Sequence, residues 1–176
     1  MQGGSEFQIE LLDVKRRRRE VFNCGVDALT SFLRQRARKE MQSHTSACFV
    51  AVPITDPGRI AGYYTLSAAT ILTTVLPPEL VARLPRYPNL PATLLGRLAR
   101  DVSFRGQGIG ELLLISALRR ALGNTVVVGS VAVVTDPKDA QAAAFYSRYG
   151  FRKLISFGER LFLPMQEITK ALGRGD

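Results

Sequence analysis

This chain has no tryptophan, one histidine, two cysteines and no long apolar run. Each scarcity removes a class of function. A Ser-His-Asp hydrolase would have to use His44, yet its neighbours "QSHTSA" hold no nucleophile on a strained turn, so a surface or capping role is expected. Cys24 and Cys48 stand in no metal-ligand spacing, and metal hydrolysis is equally short of ligands, so no metal is expected. With no charged-then-apolar signal segment at the start, the two cysteines read as free buried thiols rather than a disulfide. No window approaches the roughly 18 apolar residues of a membrane span, and no membrane partner is expected. The opening "MQGGSEF" is small, polar and patternless; residues 1–6 read as a leader and are set aside.

What is present is charge of one sign. Lys and Arg number 24 against 15 Asp and Glu, a net +9. The excess is clustered, in "KRRRR" from Lys15 to Arg19 and again at Arg34, Arg36, Arg38 and Lys39. Such runs are either a solvated face or the footprint of a polyanion, nucleic acid above all, because neutralising phosphates releases counterions. With 176 residues, 46% apolar and 22% charged, the composition is that of one globular domain, expected over residues 7–176.

The order of elements predicts a mixed α/β or α+β domain. "FQIELLDV" (7–14) reads as a strand and "DALTSFLRQRARKEM" (27–41) as a helix with Val26, Leu29, Leu33 and Ala37 on one stripe, leaving Arg34 and Arg38 to point together away from it. "ACFVAVPI" and "RIAGYYTLSAATI" form a hairpin about the turn signal "TDPGR". Five of the nine prolines, Pro77, Pro78, Pro85, Pro88 and Pro91, then allow only a short helix over 78–84 and an extended loop. "ATLLGRLARDV" reads as a strand, "GIGELLLISALRRAL" as a helix and "TVVVGSVAVVT" (125–135) as one buried strand. "PKDAQAAAFYSRYG" is a helix with Pro137 near its first turn and Gly150 at its stop, and the tail gives a strand and a closing helix.

The densest signal is "RGQGIG", Arg105–Gly110, between a strand and a helix. Glycines let the backbone approach an anion closely, and the helix behind them adds free N–H donors and the positive end of its dipole. Together these bind phosphate. No Lys-Ser or Lys-Thr follows, so this is not a P-loop, and the spacing is not G-x-G-x-x-G. The segment resembles the pyrophosphate loop of the GCN5-related N-acetyltransferases, Q/R-x-x-G-x-G/A, filled by Arg105, Gly108 and Gly110. The likeness extends to nearly the whole chain. It implies a mostly antiparallel twisted sheet flanked by helices, and acetyl-CoA as co-substrate held by Leu98, Ala99, Arg100, Arg105, Gly106, Gln107, Gly108, Ile109 and Gly110.

Further, "GYYTLSA", "LPRYP", "LLGRLARD" and "AFYSRYGF" together look like the acetyltransferase toxins of bacterial type II toxin–antitoxin systems. That resemblance implies acetylation of the α-amino group of aminoacyl-tRNA in the bacterial cytoplasm, inhibition of translation, a ribbon-helix-helix antitoxin as partner and a homodimer. Many members read Leu-Ala-Val-Asp where this chain has Leu98, Ala99, Arg100 and Asp101, which changes a side chain beside the cofactor strand.

Acetyl transfer from a thioester to an amine needs a neutral amine, donors for the oxyanion and a proton for the leaving thiolate. Backbone N–H groups near Ala99 and Arg100 are the candidates for the oxyanion. For the proton the candidate is Tyr146: Phe145 and Tyr149 share a core-like stripe with Ala142, and Tyr146 is turned about 100° from Phe145. No convincing general base is visible. A lysine ammonium near 10.4 needs one, whereas an α-amino group near 7.7–8.0 does not, so the missing base and the basic surface agree on aminoacyl-tRNA. Arg34, Arg38, Arg86 and Arg97 are the candidate tRNA contacts, with the Lys15–Arg19 run beside them. The competing reading is an acetyltransferase of the same family acting on a small-molecule amine or a protein amino group.

Overall fold

Val, Ala and Phe fill β2 (Ala47–Pro53), which is buried along six of its seven positions. It accepts β1 (Phe7–Leu11) on one edge, Phe7 opposite Pro53 and Leu11 opposite Phe49, and β3 (Gly62–Leu72) on the other, Ala47 opposite Leu66 and Ala51 opposite Gly62. Both pairings are antiparallel. In this computed structural model, which describes residues 6–173, the strands run in the order β1-β2-β3-β4-β5-β7-β6, with β4 (Asn89–Arg100), β5 (Ala132–Thr135), β6 (Arg152–Lys153) and β7 (Leu161–Pro164). The β4–β5 pairing is parallel, and β7 is antiparallel to both β5 and β6. The helices are α1 (Asp27–Ser31), α2 (Ala37–Gln42), α3 (Pro78–Val81), α4 (Ile109–Asn124), α5 (Ala140–Ser147) and α6 (Met165–Leu172). This is the α+β class with a mostly antiparallel sheet that the sequence predicts. Of the expected leader, residues 1–5 lie outside the described residues; the Glu6 carbonyl accepts from Ile54 N–H at 3.0 Å.

The chain divides into two compact units, one made of residues up to Ser67 with Arg97–Ala117, the other of Ala68–Gly96 with the residues from Leu118 onward. The first has a core of Leu12, Phe22, Phe32, Leu33, Cys48, Val50, Val52, Ile60, Tyr63 and Ala99. Tyr63 stacks on Phe32 and meets Phe22 edge-on, and its hydroxyl donates to the Leu29 carbonyl at 2.6 Å. Cys48 lies here as a free thiol pushed up to about 12 by burial, as Cys24 is free beside it. The second unit has its own core of Ile71, Val75, Leu76, Leu90, Ala92, Ala132, Val134, Leu154 and Phe162.

Three local readings are corrected. The helix expected over 27–41 is interrupted by a π-helical turn, Phe32–Arg36, between α1 and α2; within it Phe32 and Leu33 are both buried in the core. The run 125–135 is not one strand. Only Ala132–Thr135 pairs, while Val127 and Val128 N–H close a turn on the Asn124 carbonyl and Val126 is 88% exposed. Gly129 and Ser130 break the run, Ser130 bonding Thr93 Oγ1 at 2.9 Å. Pro137 stands before α5 rather than in it; Asp139 is the N-cap, accepting from Ala142 N–H at 2.8 Å.

In the first unit one glycine is required by contact. A Cβ on Gly62 would lie 2.8 Å from the Ala99 carbonyl oxygen, 2.8 Å from Leu113 Cδ1 and 2.9 Å from Ile109 Cγ2. The start of α4 therefore rests on bare backbone at this point of β3. Gly62→Ala is expected to cost roughly 1–3 kcal/mol by overpacking, read as a lower urea midpoint with an unchanged slope.

Candidate active site

The glycine loop is built in the first unit from a buried carboxylate outward. Asp101 follows β4 and is 1% exposed. Its Oδ2 accepts from Asn23 N–H at 2.9 Å and its Oδ1 from Ser103 N–H at 2.8 Å, and Arg59 Nη2 lies 3.7 Å from Oδ1. The second bond starts a tight 3-10 turn, Val102–Phe104, closed by Phe104 N–H on the Asp101 carbonyl. Arg59 also donates to Ser103 Oγ at 2.9 Å and lies over the Phe104 ring, which meets Phe7 edge-on. This turn delivers the chain to Arg105.

Beyond Arg105 the loop is exposed until Ile109, which is buried and anchors α4. Gly106 and Gly108 have φ of +79° and +72°, a region that favours glycine, and nothing lies within 4 Å of a Cβ built on either. Leu112 N–H bonds the Gly108 carbonyl, so the N–H groups of Gly108, Ile109 and Gly110 precede the first helical bond and have no acceptor among the described residues. Along α4, Ile109, Leu113, Leu114, Ala117, Leu118 and Ala121 are buried at helical spacing, which fixes the axis behind those donors. Open space, glycine backbone and free donors at the head of a sixteen-residue helix fit a phosphate group.

The strand before the loop has a useful asymmetry. The β4–β5 rungs run from Thr93 to Leu95, whereas β4 continues to Arg100. Asp101 N–H is spent on the Ala61 carbonyl, so by alternation the Arg100 N–H points to the opposite edge of the strand. Arg100 is half-buried, and its Nε has no partner. Leu98 is half-buried and Ala99 is core.

In the second unit Tyr146 sits on α5 at 6% exposure, between Phe145 and Phe151. The sequence pattern assigns the core stripe to Phe145 and Tyr149; both are only half-buried, and Tyr146 is the deeper ring. A residue missed by sequence reasoning is its partner, Thr135, the last residue of β5. Thr135 Oγ1 donates to the Leu95 carbonyl at 2.9 Å, which leaves its lone pairs for the phenol. Burial raises the Tyr146 phenol above its ordinary value, so the group is protonated at neutral pH and can donate. The signal was a polar residue closing the apolar run "VAVVT".

The candidate tRNA contacts divide by how free they are. Arg38 and Arg86 are exposed with no partner among the described residues. Arg34 is exposed, but its Nε donates to the Phe22 carbonyl at 2.8 Å. Arg97 is half-buried, its guanidinium 3.7 Å over the Phe32 ring and 3.9 Å from Glu40. The Lys15–Arg19 run is mostly spent on the fold: Arg16 pairs with Asp13, Arg17 with Glu10, Arg18 grips Asp56 with two bonds of 2.7 and 2.8 Å, and Arg19 donates to the Leu33 and Arg34 carbonyls. No group of three or more potential metal ligands occurs among the described residues.

Residues 45–153 match the model of the acetyltransferase (GNAT) domain, and the chain belongs to that family; it is an acetyl-CoA-dependent N-acetyltransferase. Its relatives are narrower. It is 29% identical to the probable toxin TacT of Sinorhizobium fredii over 97% of this chain and 98% of that one. A crystal structure of a tyrosine-to-phenylalanine variant of KacT superposes with a TM-score of 0.87 at 30% identity, covering 95% of this chain and 99% of that chain. AtaT complexed with acetyl-methionyl-tRNAfMet gives 0.87 at 27% identity, over 95% and 99%. A tyrosine-to-phenylalanine variant of AtaT bound to acetyl-CoA and the C-terminus of the antitoxin AtaR gives 0.81 at 25%, over 97% and 100%.

Immediately after Thr135, Asp136 receives two bonds of 2.8 Å from Arg160, which hold its carboxyl below the usual range. A folded value below the unfolded one, about 3.9, means stability that is present above that pH and lost as pH falls through the folded value. Asp136→Asn is therefore expected to lower Tm at pH 7, with the gap to the parent closing as the melts are taken toward pH 3.

Proposed function

We propose that this chain moves acetyl from acetyl-CoA to the α-amino group of aminoacyl-tRNA in the bacterial cytoplasm and so blocks translation, as the toxin of a type II toxin–antitoxin pair. The observation that carries this is the near end-to-end match to AtaT, a protein held in its structure with an acetylated aminoacyl-tRNA. The AtaR complex supports an antitoxin partner, expected to be of the ribbon-helix-helix type, and a homodimer is the expected assembly.

The residues divide the work. Gly106, Gly108 and the N–H groups of Gly108, Ile109 and Gly110 receive the pyrophosphate of acetyl-CoA, with Arg105 and Gln107 at the exposed rim and Leu98 and Ala99 on the strand beside it. The Arg100 N–H meets the oxyanion that forms as the amine attacks the acetyl carbonyl. The Tyr146 phenol gives its proton to the departing thiolate, the attacking amine releases one to water, and water returns a proton to the phenolate, so the proton balance closes. KacT and AtaT were both studied with a tyrosine replaced by phenylalanine, which supports a tyrosine in this role. The interactions of Tyr146 among the described residues are with Thr135, Phe145 and Phe151, none of them a base. An α-amino group near 7.7–8.0, lowered further by its ester, needs none. Arg38 and Arg86 offer free cations for the tRNA backbone; Arg34, its Nε donating to the Phe22 carbonyl, and Arg97, set over the Phe32 ring, are the less available candidates.

Mass spectrometry of a charged tRNA pool after incubation with acetyl-CoA tests the proposal. N-acetyl-aminoacyl adducts are expected from the parent, and a rate about 10²–10⁴-fold lower from Tyr146→Phe. A folded parent that binds acetyl-CoA yet yields no adduct would move the activity to a small-molecule amine or a protein amino group.

A further inference from the structure

Between α3 and β4 the chain makes a loop, residues 82–88, whose side chains divide by direction. Leu80, Val81 and Leu84 pack against the second unit's core. Arg83, Arg86 and Tyr87 face solvent, Tyr87 at 63% exposure. The loop is fixed: Arg83 N–H bonds the Leu80 carbonyl at 3.0 Å, Leu84 N–H the Val81 carbonyl at 3.1 Å, Tyr87 N–H the Pro85 carbonyl at 2.9 Å, and the Pro88 carbonyl accepts from Thr73 N–H at 3.1 Å. Pro85 and Pro88 bracket the exposed pair and limit its backbone freedom. The Tyr87 ring has no aromatic or hydrogen-bonding partner among the described residues, and neither arginine has a carboxylate. A large ring held out in water beside two unpaired cations has no role in the packing of this unit.

We propose that Tyr87 is a stacking platform for an unpaired nucleobase of RNA, with Arg83 and Arg86 receiving the flanking phosphates. Three features select this partner. A bare aromatic face accepts the face of a base only when that base is free of a duplex stack, which specifies a single-stranded end or loop. Two exposed arginines within four residues of the ring supply cations for flanking phosphates and repel a basic partner. The proline-bracketed backbone is already ordered, so little freedom is lost on binding. The inference rests on the tRNA reading above and deepens it: the aminoacyl group is carried on an unpaired 3′ end.

The absence of tryptophan from the chain makes the test direct. In Tyr87→Trp the indole is the only one in the protein, and its emission reports this ring alone. Titration with uncharged tRNA is expected to quench it, and a blunt RNA duplex of equal length is not. Tyr87→Ala should raise KM for aminoacyl-tRNA about tenfold at unchanged acetyl-CoA affinity, and Tyr87→Phe, which keeps the face, should recover the parent KM. Emission that stays constant while retardation shows tRNA bound overturns the proposal, as does equal quenching by the blunt duplex. Quenching by an antitoxin peptide but not by RNA makes the loop a protein-docking site and overturns it too. Failure of the parent to acetylate charged tRNA is a separate result; it removes the tRNA substrate without deciding whether Tyr87 stacks on RNA.

Discussion

The buried carboxylate of Asp101 is the constraint on which the course of the glycine loop depends. A charge removed from water must be met by hydrogen bonds or a countercharge, or the burial costs several kcal/mol. Asp101 is met by two backbone N–H groups, from Asn23 and Ser103, with the Arg59 guanidinium beyond. These partners come from three separate stretches of the chain, so satisfying one side chain ties the end of β4, the segment ahead of α1 and the hairpin between β2 and β3 to a common point. The turn it caps determines where Arg105 leaves the strand. Gly62 supports the same region from beneath by allowing α4 to sit on backbone.

Charge in this protein is less available than its total implies. A net +9 invites an electrostatic reading of every basic run, yet the longest, Lys15–Arg19, is largely consumed by Asp13, Glu10, Asp56 and two carbonyls. Among the cations left to a polyanion are Arg38 and Lys39 on α2 and Arg83 and Arg86 on the proline-rich loop. A basic cluster in sequence thus serves the fold, while isolated arginines next to prolines or on a helix flank serve the surface. The Arg97 guanidinium belongs to a third class, covering Phe32.

The glycine loop was legible because its chemistry is local: backbone freedom, free donors and a helix start within six residues. The hairpin and α4 were legible for the same reason, from period and turn residues. Thr135 was not, because its role depends on a ring eleven residues away and on a carbonyl of β4, neither of which spacing reveals. The depth of Tyr146 was misread since helical periodicity gives the angle between faces but not which face is covered. The valine run 125–135 misled because apolarity without a partner strand gives no burial, and two small residues were enough to split it. Nor does the sequence alone show that the arginines of 15–19 are paired, since their acceptors lie on β1, in the hairpin turn and in the π-helical turn.

The dependence of the glycine loop on Asp101 is tested most directly by titrating acetyl-CoA into Asp101→Asn by calorimetry. Asparagine keeps the shape and replaces one accepting oxygen by a donor that faces a backbone N–H. A variant that remains folded by circular dichroism and binds acetyl-CoA about tenfold more weakly is the predicted result. Parent-like affinity in the folded variant would contradict it, showing that the loop holds its course without the carboxylate.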